Sequence, residues 1–148
     1  IVPLKDGFGT SPEAICRAAF LRFCREHPDF HFDSDHIELE FKLTCDARVV
    51  SDSLEDQHTE LMLVCMHPNS DGECQRPSYH YTLGVYIGKD DHKGLSDNFT
   101  EMAMELLRLQ TEGFQCGDKR VFPIIIFPAD MATHWCWYDA GGVSATEF

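Results

Sequence analysis

Two aspartates stand where a short side chain could do phosphate chemistry. Asp46 falls late in the alternating run "HIELEFKLTCDARVV", and Asp130 follows the apolar run of "PIIIFPADMATHWCWYD". Carboxylates at the ends of neighbouring strands can hold a pair of divalent cations about a scissile phosphate, one activating the nucleophile and the other stabilising the leaving oxygen. Mg²⁺, or Mn²⁺ in its place, suits such ligands, because Mg²⁺ prefers oxygen donors and keeps waters that phosphate can replace. Ala47 and Ala129, beside the two acids, are small enough to leave room for a cation and a phosphate backbone.

For the two acids to meet, the chain must bring together positions 84 apart, and its elements allow this. Ile37, Leu39, Phe41, Leu43 and Cys45 alternate with Glu38, Glu40, Lys42, Thr44 and Asp46, the period-two signature of a strand with one buried face. "TELMLVCMH" and "SYHYTLGVYIG" read as two further strands, the last with Tyr79, Tyr81, Leu83, Val85 and Ile87 on one side. Polar turns join all three into an antiparallel meander. "LSDNFTEMAMELLRLQTEGF" follows as a helix, with Ser96 as its N-cap, Gly113 as its stop, and Phe99, Met102, Ala103, Leu106 and Leu109 or Gln110 inward. "VFPIIIF" is apolar throughout, as a central parallel strand buried on both faces would be, its core starting at Ile124 because Pro123 has no N–H for a ladder.

A right-handed crossover through the helix sets that fourth strand parallel to the first, and the buried slot open to it lies beside the first strand. Asp46 and Asp130 then share one end of adjacent strands. Ahead of the meander, "TSPEAICRAAFLRFCREHP" reads as a peripheral amphipathic helix, with Thr10 and Glu13 in capping-box spacing and Pro28 as terminator. The expected organisation is a helical lead-in over 1–34 and an α/β core over 35–148.

The strand order, the acid in "LTCDARVV" and the second acid in "IIIFPADMATHW" together resemble the ribonuclease-H-like core of DDE transposases and recombinases. The likeness spans about residues 35–140, and the D-M-A-x-H-W neighbourhood is most similar to eukaryotic transposase-derived proteins. It implies a mixed sheet in β-β-β-α-β order and two-metal cleavage and transfer of DNA strands. Asp46 and Asp130 would be the first two ligands of Mg²⁺ or Mn²⁺. DNA would be gripped through regions outside or beside this segment, and several copies could assemble as a homo-oligomer. A third acid on a later helix belongs to that pattern; Glu147 is the last acid in the chain and lies in a Gly-rich stretch. The chain is therefore expected to be a fragment truncated at its C-terminus and inactive alone.

Composition sets the competing readings. At 148 residues, 43% hydrophobic and 25% charged, the chain is long enough for one core and too apolar for disorder. The net charge of −13 opposes a simple nucleic-acid-binding module, which needs a basic footprint. A non-catalytic α/β interaction or regulatory domain fits that acidity, and another ribonuclease-H-like nuclease fits the same two aspartates. Seven cysteines, several in apolar segments, read as reduced thiols rather than a disulfide framework. Cys65, His67 and Cys74 lack the paired short spacing of a structural zinc site. His134 and the aromatics Trp135, Trp137 and Tyr138 could touch phosphate or bases, but such a cluster beside a buried strand more often packs in a core. No membrane-spanning run is present, so the expected setting is intracellular, nuclear or cytoplasmic.

Overall fold

The computed structural model describes residues 1–49, 57–66, 79–89 and 91–126, with the backbone alone at 47–49. Its elements are β1 (Val2–Pro3), β2 (Gly7–Gly9), α1 (Pro12–Glu26), β3 (His36–Val49), β4 (Gln57–Met66), β5 (His80–Ile87), α2 (His92–Glu112), β6 (Phe114–Cys116) and β7 (Lys119–Ile126). The seven strands form one mixed sheet in the order β1-β2-β5-β4-β3-β7-β6. The meander β3-β4-β5 is antiparallel, and β7 lies parallel to β3 on its far side. This is a mixed α/β architecture.

Alternation along β3 decides which face the helices cover. Ile37, Leu39, Phe41 and Leu43 are buried, whereas Glu38, Glu40 and Lys42 are exposed. The buried set joins Leu61, Leu63 and Cys65 of β4, Val121 and Ile125 of β7, and the apolar sides of both helices in one core. Each Leu or Phe so enclosed contributes roughly 1.5–3 kcal/mol. Among the described residues no helix packs on the opposite face.

Several boundaries differ from the sequence reading, each for a local reason. Ser11, not Thr10, caps α1, its hydroxyl accepting from the Ala14 N–H at 3.4 Å, and Pro12 takes the first turn where no N–H is missed. Its expected apolar face is turned inward: Cys16, Ala19, Phe20 and Phe23 are almost wholly buried. The preceding β1 and β2, absent from the sequence reading, extend the sheet along β5. For α2 the cap is Asp91 rather than Ser96, since the Asp91 carboxylate accepts from Gly94 N–H at 2.8 Å and starts the helix earlier. Gly113 does end it, at φ +67, where an added Cβ would lie 2.6 Å from the Val121 carbonyl.

Two strands depart further. A bulge in the β4–β5 pairing, where Leu61 partners Gly84 and Met62 partners Thr82, shifts the alternation of β5 by one. Tyr86 therefore faces the core, and Ile87, expected inside, is 64% exposed. In β7 the strand begins at Lys119, and "QCGDKR" is a hairpin around Gly117 rather than a plain loop. Pro123 is tolerated within β7 because of where its nitrogen points. Arg120 N–H donates inward to Asp35 O at 2.7 Å, whereas Ile125 N–H donates outward to Gln110 Oε1 at 3.0 Å. Alternation turns the Pro123 nitrogen away from β3 and beyond Val121, the last β7 residue paired with β6, so no ladder bond is lost. The strand is also less enclosed than expected: Val121, Pro123 and Ile125 are buried, Phe122 and Ile124 half-buried, and Ile126 is 41% exposed.

Candidate functional site

Asp46 lies near the C-terminal end of β3, half-buried, on the face opposite the helices, in phase with Glu38 and Lys42. Its partner across the β3–β4 ladder is Glu60, also half-buried. Directly opposed residues share a face and bring their Cβ atoms to about 4.5–5.5 Å, and like charges so placed repel. Glu60 is not free to swing away: its Oε1 accepts a 2.6 Å hydrogen bond from the Thr82 hydroxyl on β5. The row continues through Val85 to the exposed ring of Phe8. Thr44 precedes Asp46 on the same face, its Oγ1 buried without a hydrogen-bond partner among the described residues.

Glu60 escaped the sequence reading. It sits in a strand whose alternation is legible, but alternation alone does not give the register that sets it against Asp46. Two hard oxygen donors side by side on a rigid ladder suit Mg²⁺ or Mn²⁺ in kind. In number they fall short: no group of three or more metal-ligating side chains occurs among the described residues.

Asp130, the second sequence candidate, lies outside the described residues, as do Ala129, His134, Trp135, Trp137, Tyr138, Glu147, His67 and Cys74. Of the zinc candidates only Cys65 is described, and it is fully buried in the core. The five described cysteines, 16, 24, 45, 65 and 116, are free thiols. Burial, reinforced by the neighbouring Cys65, pushes the Cys16 thiol far up, which makes it inert rather than nucleophilic. Among the described residues no helix is long and apolar enough to cross a membrane.

The parallel pairing of β3 with β7 adds one quantity to the site. Each β7 residue is 84 positions after its β3 partner, from His36 and Arg120 to Lys42 and Ile126. That interval is also the separation of Asp46 from Asp130. No family model matches the chain, and no curated protein matches it.

Proposed function

We propose that the chain is part of a ribonuclease-H-like enzyme of the DDE transposase type, acting in two-metal cleavage and transfer of DNA strands. The observation that carries this reading is the β3–β7 register. Were that register kept for four residues beyond Ile126, Asp130 would fall beside Asp46. The order β5-β4-β3-β7, with β7 reached through α2 and parallel to β3, agrees with the β-β-β-α-β arrangement that such a core requires.

Asp46 and Asp130 would hold Mg²⁺ or Mn²⁺, and the bound cations would supply Lewis acidity and an activated nucleophile. The protein's own part is positional. Burial of Phe41 and Leu43 fixes the strand that presents Asp46, and Thr82 fixes the carboxylate of Glu60 next to it. Two facing acids raise the local demand for a cation, which offsets their mutual repulsion. DNA would reach the site through parts of the protein beside this segment, since the acidic chain offers phosphate little attraction.

Titration with Mn²⁺, followed by paramagnetic broadening of backbone amide signals, tests the reading. Broadening centred on Asp46, Glu60 and Asp130, and lost in Asp46→Asn, is the expected result. Broadening that spares Asp46, or that survives its replacement unchanged, would overturn it.

A further inference from the structure

A separate surface lies at the other end of β3. The segment from Glu26 to Glu40, "EHPDFHFDSDHIELE", contains six carboxylates and neither lysine nor arginine. Within it the chain leaves α1, crosses to β3 and folds two phenylalanines back onto the helix. Phe30 and Phe32 meet edge to face at 5.0 Å, Phe30 meets Phe23 at 5.1 Å, and Phe32 lies 5.8 Å from Phe20. These four rings wall a cavity of about 250 Å³, with the exposed Asp33 also lining it. A second hollow adjoins it, sharing Phe30 and His31 and bordered by Asp29.

The loop is held in shape before anything binds. Phe30 N–H donates to His27 O at 3.1 Å, and the Ser34 hydroxyl both accepts from His36 N–H at 3.1 Å and donates to His36 O at 2.9 Å. Preorganisation of this kind lowers the entropy lost on association. Some of the acids are committed: Glu26 to Arg22 and Tyr79, Asp35 to Lys119, and Glu38 to His36 at 3.6 Å. Asp29 and Asp33 make no ion pair among the described residues.

We infer that this acidic, phenylalanine-walled groove is a docking site for a basic peptide segment of a partner protein, with one aromatic or branched aliphatic side chain seated against the half-buried Phe30 and Phe32, above the buried Phe20 and Phe23. Size and charge choose the occupant. The phenylalanine-walled cavity of about 250 Å³ suits a single anchoring side chain, and the adjoining hollow of about 480 Å³ gives room for the residues beside it. Phosphates, nucleic acids and anionic lipids are repelled by the same carboxylates that attract lysine or arginine on either side of the anchor. A second copy of this chain, itself at −13, is repelled as well. The groove stands apart from Asp46, since nine residues of strand at about 3.3 Å each separate position 37 from 46.

Fluorescein-labelled nonapeptides with a central tryptophan flanked by two lysines on each side are the probe, read by anisotropy and by amide shift mapping of the whole chain. Binding is expected to shift the signals of residues 30–38, to weaken with added salt, and to disappear when the lysines become glutamates or the tryptophan becomes alanine. The exposed pair Asp29→Asn and Asp33→Asn should weaken it about fivefold or more without altering the fold, and Phe32→Ala should remove it. Equal binding of the lysine and glutamate peptides, shifts centred elsewhere, self-association through this loop, or no binding at low salt would each overturn the inference. The Mn²⁺ response at Asp46 should be the same in all these variants, so either reading can fail alone.

Discussion

At the scale of single residues, the face that carries Asp46 is built against its own stability. Thr44 Oγ1 is buried with no hydrogen-bond partner among the described residues, and a hydroxyl so placed keeps its desolvation cost without recompense. Thr44→Val preserves the shape and removes that cost, so it should stabilise the fold by about 1 kcal/mol, read as a rise in Tm of roughly 2–4 °C. Glu60→Gln should act in the same direction by a few tenths of a kcal/mol, because it ends the repulsion across the ladder from Asp46. On the reading proposed here it should also weaken Mn²⁺ binding, and calorimetry beside thermal melts would show the two effects in opposite senses. A gain in stability with unchanged cation affinity would take Glu60 out of the site. Both residues lie on strands whose alternation is plain in the sequence. Their adjacency is not, because Asp46 and Glu60 are neighbours only through the β3–β4 register, which alternation alone does not fix.

At the scale of elements, the sequence is most legible where periodicity and burial agree. Phe41 and Leu43 alternate with charged or polar neighbours, and Met102, Leu106 and Leu109 recur at helical spacing; each lies where its pattern requires. Legibility fails where one local contact overrides the pattern, as with the bulge that turns Ile87 outward, or the Asp91 carboxylate that starts α2 before Ser96. The short β1 and β2 have almost no pattern to read, and they owe their place to tertiary bonds. Asn98, buried on α2, accepts from Asp6 N–H at 2.8 Å and donates to the Asp6 carboxylate at 3.1 Å and to the Gly94 carbonyl at 2.9 Å. This amide, together with the Lys5–Asp97 ion pair at 3.1 Å, ties the β1–β2 hairpin to α2. Asn98→Ala should cost roughly 2–3 kcal/mol, the sum of several lost bonds and groups left unsatisfied. The loss should be concentrated in the hairpin: hydrogen exchange should quicken at Thr10 and Ile87, whose N–H groups donate to Leu83 and Asp6, while Phe41 and Leu63 keep their protection. Uniform acceleration across the sheet would mean that the hairpin is not a separable unit.

At the scale of the whole molecule, charge and burial combine to set the pH range of stability. The composition already shows a chain far to the acidic side, but it does not show which thiols are enclosed, since burial follows from how α1 lies on the sheet. Cys16 is wholly enclosed between α1 and the core, and burial first, then the proximity of Cys65 and of Glu105 and Glu13, raises its pKa well above that of a free thiol. Burial raises Cys24 in the same direction, and Lys119 is raised by its hydrogen bond to Asp35. All three groups therefore hold their protons more tightly folded than unfolded. Below a pH of about 8.5 both states keep the thiols protonated and the fold is fully stable in this respect. As pH rises further, the unfolded chain releases the Cys16 proton while the folded chain retains it, and stability must fall by at most about 1.4 kcal/mol per pH unit for that group. Urea unfolding at pH 7, 9 and 10.5 should show a small loss over the first interval and a steeper one over the second. Cys16→Ala should start from a lower stability, because it leaves a small cavity, yet lose less between pH 9 and 10.5. The change of slope, not of baseline, identifies the buried thiol as the source; an unchanged slope would assign the alkaline loss to Cys24, to Lys119, or to repulsion spread over the acidic surface.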